Sequence, residues 1–133
     1  MISELLRLVI KGLPPSVNHT YKTGRNGNRF KRPEVSKWQE ETAGKIREAW
    51  NEEIPYEGYV EVRVLFGVKG KRRWDIDNRL KALLDCLELA GVIRDDSQIW
   101  GISAHKEYGE TDKVELLMME YTIAMGASNG NDW

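Results

Sequence analysis

The chain has 133 residues, enough for one domain with a single core, and its 41% hydrophobic and 31% charged content belongs to a soluble globular protein rather than a disordered chain. No run approaches the roughly 20 apolar residues that a bilayer-spanning helix needs. The single cysteine, Cys86, excludes an internal disulfide or a cysteine-based zinc site and suits a reducing cytoplasm. The net charge of −1 does not by itself suggest a nucleic-acid partner.

Residues 5–10, "LLRLVI", form a short apolar run closed by "GLPPS", which predicts a first strand and a turn. Residues 16–32 carry Asn, Gly and charge without periodicity and read as a long mobile loop, a feature that in a small domain usually serves function. From 33 to 51 the apolar positions Val35, Trp38, Thr42, Ile46, Ala49 and Trp50 recur at helical spacing, and Pro33 suits a helix start. "YVEVRVLFGV" alternates Val60, Val62, Val64, Phe66 and Val68 against Glu61 and Arg63, the pattern of a strand with one core-facing side.

A second helix is expected over 78–90, with Leu80, Leu83, Leu84 and Leu87 on one face and Gly91 as its C-terminal stop. "IWGISAHKEY" and "KVELLMMEYTIA" then read as two strands joined by the turn-prone "GETD". The order β-α-β-α-β-β predicts a single α+β domain over residues 1–124, with a mixed four-stranded sheet and both helices on one face. Residues 125–133 read as a flexible tail.

Charge is segregated along the chain. "KTGRNGNRFKR" places Lys22, Arg25, Arg29, Lys31 and Arg32 in one stretch without an acid. "KGKRR" adds Lys69, Lys71, Arg72 and Arg73. Such runs can create a positive, phosphate-binding face on a nearly neutral protein, although solvated loops have the same composition.

Directly after the second basic run comes "WDIDNRLKALLDCLELAGVIRDDSQ". Asp75 and Asp77 stand two apart, where an extended backbone would aim both the same way and a helix start would let Asp77 cap. Lys81 and Asp85 follow at four-residue steps, a ladder that is also ordinary helix decoration. That ladder leaves Asp75 and the adjacent Asp95 and Asp96 unexplained. Carboxylates brought together need a cation, and an oxygen-only ligand set favours Mg²⁺ or Mn²⁺ over zinc. A metal-dependent phosphodiesterase is one chemistry these residues support.

The pattern "DIDNRLK", then Asp85, Leu87, Val92 and "DDSQ", resembles the RusA-like Holliday junction resolvase family, as does the N-terminal "LPPSVNHTY". The resemblance covers nearly the whole domain. It implies a homodimeric, Mg²⁺-dependent endonuclease that nicks four-way DNA junctions symmetrically in recombination and repair, in bacteria or their phages. By position it implies Asp75, Asp77 and Asp96 as catalytic metal ligands, Lys81 as the functional lysine and Asp95 as a supporting ligand.

A helix over 78–90 is about 20 Å long, and Asp96 lies beyond its far end. Asp75 and Asp96 can meet in two ways. Either "GVIRD" folds back along the helix, or two antiparallel copies of the helix share sites across a two-fold axis. Two competing functions carry less. A haloacid-dehalogenase-like phosphatase also uses a D-x-D pair but needs a larger domain. A non-catalytic DNA-binding module would treat the aspartates as caps and solubilising groups. The histidines His19 and His105 are isolated and carry no assignment.

Overall fold

The computed structural model describes residues 3–16, 21–23, 27, 29–71 and 73–122. The predicted tail at 125–133, His19, Arg25 and Arg72 lie outside the described residues, as do the side chains of Lys22 and Arg29. Among the described residues, six strands and two helices run in the order β1 (Glu4–Lys11), β2 (Tyr21–Thr23), β3 (Arg29–Lys31), α1 (Pro33–Trp50), β4 (Val60–Val68), α2 (Ile76–Leu89), β5 (Ile99–Tyr108) and β6 (Lys113–Glu120). A 3₁₀ turn, Asp96–Gln98, leads into β5. No helix among the described residues is long and apolar enough to cross a membrane.

The main sheet has the order β1-β6-β4-β5, in which β5 lies parallel to β4 and the other neighbours are antiparallel. It is the mixed four-stranded α+β sheet that the sequence predicts. Val60, Val62, Val64, Phe66 and Val68 all point into the core, where they meet Ile46 of α1 and Leu83, Cys86 and Leu87 of α2. Each fully buried aliphatic side chain of this set contributes about 1.5–3 kcal/mol.

One feature differs from the sequence reading and another goes beyond it. The stretch expected to be loop contains a short antiparallel hairpin, in which Tyr21 faces Lys31 and Thr23 faces Arg29. Its polar composition hides it, because three-residue strands show no period. The strands joined by "GETD" are also not partners. β6 buries Val114, Leu116 and Met118 and fits between two neighbours, whereas most of β5 stays exposed or half-buried and takes the edge. The connection therefore crosses the end of β4. There Gly109 N donates to Val68 O (3.0 Å), and Asp112 accepts from Lys69 N on its side chain (2.8 Å) and from Gly12 N on its backbone (2.9 Å).

α1 begins at Pro33 and buries Val35, Gln39, Thr42, Ala43 and Ile46, so Gln39 joins the face that the apolar pattern marks, while Ala49 is exposed. α2 starts two residues earlier than predicted. Gly91 follows its C-cap Ala90 at φ +77°, as expected of a helix stop, and a Cβ there would stand 2.9 Å from Arg47 Nη1. That guanidinium reaches across from α1 and donates to the carbonyl of Ala90 (3.0 Å), satisfying an orphan of the helix end.

Candidate metal and nucleic-acid site

Asp75 is the N-cap residue of α2, in extended conformation, and Asp77 lies in the first helical turn. The sequence allowed Asp77 as the cap; the structure gives the position to Asp75, whose side chain nonetheless makes no capping bond. Both carboxylates are exposed, at a helix N-terminus whose unpaired N–H groups favour negative charge. Asp77 has no ion-pair partner among the described residues. The two side chains are thus open to a ligand.

Trp74 holds this end in place. Its ring packs edge-on against Phe66 (5.4 Å), with Arg79 and Lys106 at 5.0 and 4.8 Å from its centroid. Lys106 Nζ also donates to the Trp74 carbonyl (2.7 Å), and Arg79 Nη1 to the carbonyl of Pro14 (2.6 Å). Two cations absent from the predicted set therefore stand against Trp74, the residue before Asp75. Lys69, Lys71 and Arg73 are exposed on the segment leading into it.

Lys81 pairs with Asp85 at 3.3 Å, an exposed bridge one helical turn long. Half of the predicted ladder exists, and the Asp77 half does not. Surface pairs of this kind contribute little, so Lys81 remains available to a phosphate.

The second acidic group lies at the other end of α2. Asp95 Oδ1 accepts from Ser97 N (2.8 Å), and this backbone bond is the main reason its carboxyl is held below the usual aspartate range. Gln98 locks the turn with both ends of its amide. Oε1 accepts from Arg94 N (2.7 Å) and Asp95 N (3.2 Å), while Nε2 donates to the carbonyls of Tyr56 (2.7 Å) and Gly58 (2.9 Å). The Gln of "DDSQ" is structural. Asp96 N donates to Glu88 Oε1 (3.0 Å), and carboxylate oxygens of Glu88, Asp95 and Asp96 lie within 4.8 Å of one another.

Glu88 is the functional candidate that the sequence reading missed; its only signal is its place on the last turn of the helix before "DDSQ". Three exposed carboxylates this close suit a hard divalent cation, as do the uncommitted Asp75 and Asp77.

Within one chain the predicted trio does not assemble. α2 spans about 21 Å, with Asp75 before it and Asp96 after it. "GVIRD" does not fold back along the helix: Val92 and Ile93 are buried, and Tyr56 N donates to Val92 O (2.8 Å), directing the chain to the sheet. Between the two acidic ends runs a groove of about 480 Å³, floored by Leu80, Leu84, Ile99 and Ile102 and rimmed by Asp77, Lys81, Asp85 and Asp96. The basic residues divide likewise. Lys69, Lys71 and Arg73 accompany Asp75, whereas Lys31 shares a hollow with Glu88 and Asp96.

An α+β domain with exposed carboxylates at both ends of one helix, three of them close enough to share a divalent cation, and with basic residues near each end, has groups compatible with a nuclease. Residues 12–119 match the sequence profile of the family described as Endodeoxyribonuclease RusA. The crossover junction endodeoxyribonuclease RusA of Aquifex aeolicus (strain VF5) is 34% identical over 110 residues, which cover 80% of this chain and 86% of that protein. The chain belongs to the RusA endodeoxyribonuclease family.

Proposed function

We propose that the chain is a Holliday junction resolvase: a homodimer that binds four-way DNA and nicks two opposed strands with Mg²⁺, the same ligands also accepting Mn²⁺. The observation that carries the dimer is the separation of Asp75 and Asp77 from Asp96 by the length of α2, with an apolar groove between them. A second copy laid antiparallel along that groove would cover Leu80, Leu84, Ile99 and Ile102. It would also bring Asp96 of one subunit to Asp75 and Asp77 of the other.

In this reading Asp75, Asp77 and Asp96 hold the metal, with Glu88 and Asp95 behind Asp96. A divalent ion held by these carboxylates would supply charge neutralisation at the phosphate and an activated water for in-line attack. Lys81, on the exposed stripe of α2 beside Asp77, faces the phosphate and offsets charge that develops on it. Lys31, Arg32, Lys69, Lys71 and Arg73 grip flanking phosphates, with Lys22, Arg25, Arg29 and Arg72 assigned to the same role by sequence. Residues 1–124 suffice for all of this, in the reducing cytoplasm of a bacterium or as a phage product.

Cleavage of a synthetic four-way junction tests the reading. Wild type should make paired symmetrical nicks with Mg²⁺, while Asp75→Asn binds the junction and leaves it whole. Binding without cleavage by wild type would reduce the protein to a DNA-binding module. Mixed Asp75→Asn and Asp96→Asn subunits should regain activity if sites are shared between subunits, and none if each site lies within one chain.

A further inference from the structure

Gln39 is 4% exposed in the seam between α1 and α2, where a methionine or leucine would fill the same volume without bringing a polar group out of water. Both ends of its amide are used. Nε2 donates to the carbonyl of Ala82 on α2 (3.1 Å), and Oε1 accepts from Lys31 Nζ (2.8 Å). The chemistry fixes which end faces which: a carbonyl can only accept, so the amide nitrogen must face Ala82 and the oxygen must face the ammonium.

The ammonium held in this way opens onto a hollow of about 470 Å³ that it shares with Asp85, Glu88 and Asp96. Three carboxylates line that hollow, yet Lys31 forms an ion pair with no acid among the described residues. A neutral amide holds it instead. Of its three N–H groups one goes to Gln39, leaving two for whatever enters the hollow. A lysine fixed before its ligand arrives also loses less side-chain freedom on binding.

We infer that Gln39 is a positioning residue that presents Lys31 to the phosphate cut at the Asp96 end of the site. This moves Lys31 from the flanking grip to the cut itself, where Lys81 also acts, and leaves Arg32, Lys69, Lys71 and Arg73 on the flanking phosphates. The assignment rests on the resolvase reading above. It goes beyond it in separating Lys31 from the flanking basic residues and in giving a buried neutral side chain a part in turnover.

The test is single-turnover cleavage of a four-way junction by excess enzyme, with junction affinity measured separately in the absence of divalent metal. Lys31→Met and Gln39→Met should each slow cleavage of bound junction by about 10- to 100-fold, in the range of a lost charge contact to a reacting phosphate. The double variant should be no slower than Lys31→Met alone, because the two act as one unit. Metal-free affinity should change by less than about threefold for Gln39→Met, a split that general loss of structure would not produce.

Full-rate cleavage by Gln39→Met, or a double variant whose loss is the product of the single losses, overturns the inference. Lys31 is exposed, so its variant reports even if Gln39→Met fails to fold, and full-rate cleavage by Lys31→Met also overturns it. Wild type that leaves the junction uncut instead sinks the resolvase reading, and the inference with it.

Discussion

The amide of Asp96 donates to the carboxylate of Glu88 at 3.0 Å, so the last turn of α2 fixes where the acidic turn begins. Glu88 thereby has two tasks, since its oxygens also lie within reach of those of Asp95 and Asp96.

Replacing Glu88 with Gln separates those tasks. The amide oxygen can still accept from Asp96 N, so the fold should hold, and relief of carboxylate repulsion should leave the melting temperature in the absence of metal unchanged or slightly raised. Metal-dependent cleavage should fall by about 10- to 100-fold and shift to higher Mg²⁺, the scale on which outer ligands support a metal site. A Mg²⁺ titration of cleavage, run beside a melting curve, checks both. Unchanged Mg²⁺ dependence would exclude Glu88 from the site.

Gln98 carries four hydrogen bonds to backbone groups, and leucine could make none of them. Gln98→Leu should cost about 1–3 kcal/mol, because the Tyr56 and Gly58 carbonyls it leaves behind are part-buried, while the Arg94 and Asp95 amides can turn to water. Urea unfolding gives the figure directly. A loss under about 0.5 kcal/mol would mean that the turn holds itself without the amide.

The Cys86 thiol is fully buried, and burial pushes its pKa from the ordinary 9.0 up to about 12. Folded protein should therefore resist thiol reagents at pH 8 for as long as it stays folded. The unfolded chain releases this proton near pH 9 and the folded chain near pH 12. Stability is then fully present below pH 9 and falls as pH rises between the two values. The loss is on the order of 4 kcal/mol by the top of that range. Comparison with Cys86→Ala isolates it from lysine and tyrosine titration; equal alkaline slopes for both proteins would refute it.

Gly91 answers to two constraints, its positive φ and the closeness of Arg47 Nη1. Gly91→Ala should destabilise by about 1–2 kcal/mol, combining left-handed strain with displacement of the Arg47 cap on Ala90. Thermal melts of Gly91→Ala and of Arg47→Met would separate the two contributions. An alanine variant as stable as wild type would show that the helix end can rearrange freely.

The long elements were legible because their signals are periodic. Val60 to Val68 alternate without a break, and the leucines of α2 mark its face from Leu80 to Leu87. Asp75, Asp77, Lys81 and Asp96 were legible only as a pattern in order along the chain. Which of them meet depends on the direction taken after Gly91, and hydropathy does not encode that.

Glu88 and Gln39 were missed for a shared reason. A Glu on a helix face reads as solvated, and a Gln among apolar positions reads as a flaw in the stripe. Only the fold shows that Glu88 faces Asp96 and that Gln39 bridges two elements. The place of β6 was hidden as well, because strand order follows which strand can be buried on both edges rather than which follows which.

The position of β6 also governs when this protein can exist as it is made. Leu6 pairs with Met118 and Ile10 with Val114, so β1 has no partner until more than a hundred further residues have been synthesised. β4 waits in the same way for its antiparallel neighbour, since β6 is the strand that joins the two. No shorter nascent fragment can close the sheet. The acidic ends of α2 are therefore set in a finished scaffold only after β6 has left the ribosome, which keeps the proposed DNA-cutting surface from forming on an incomplete chain.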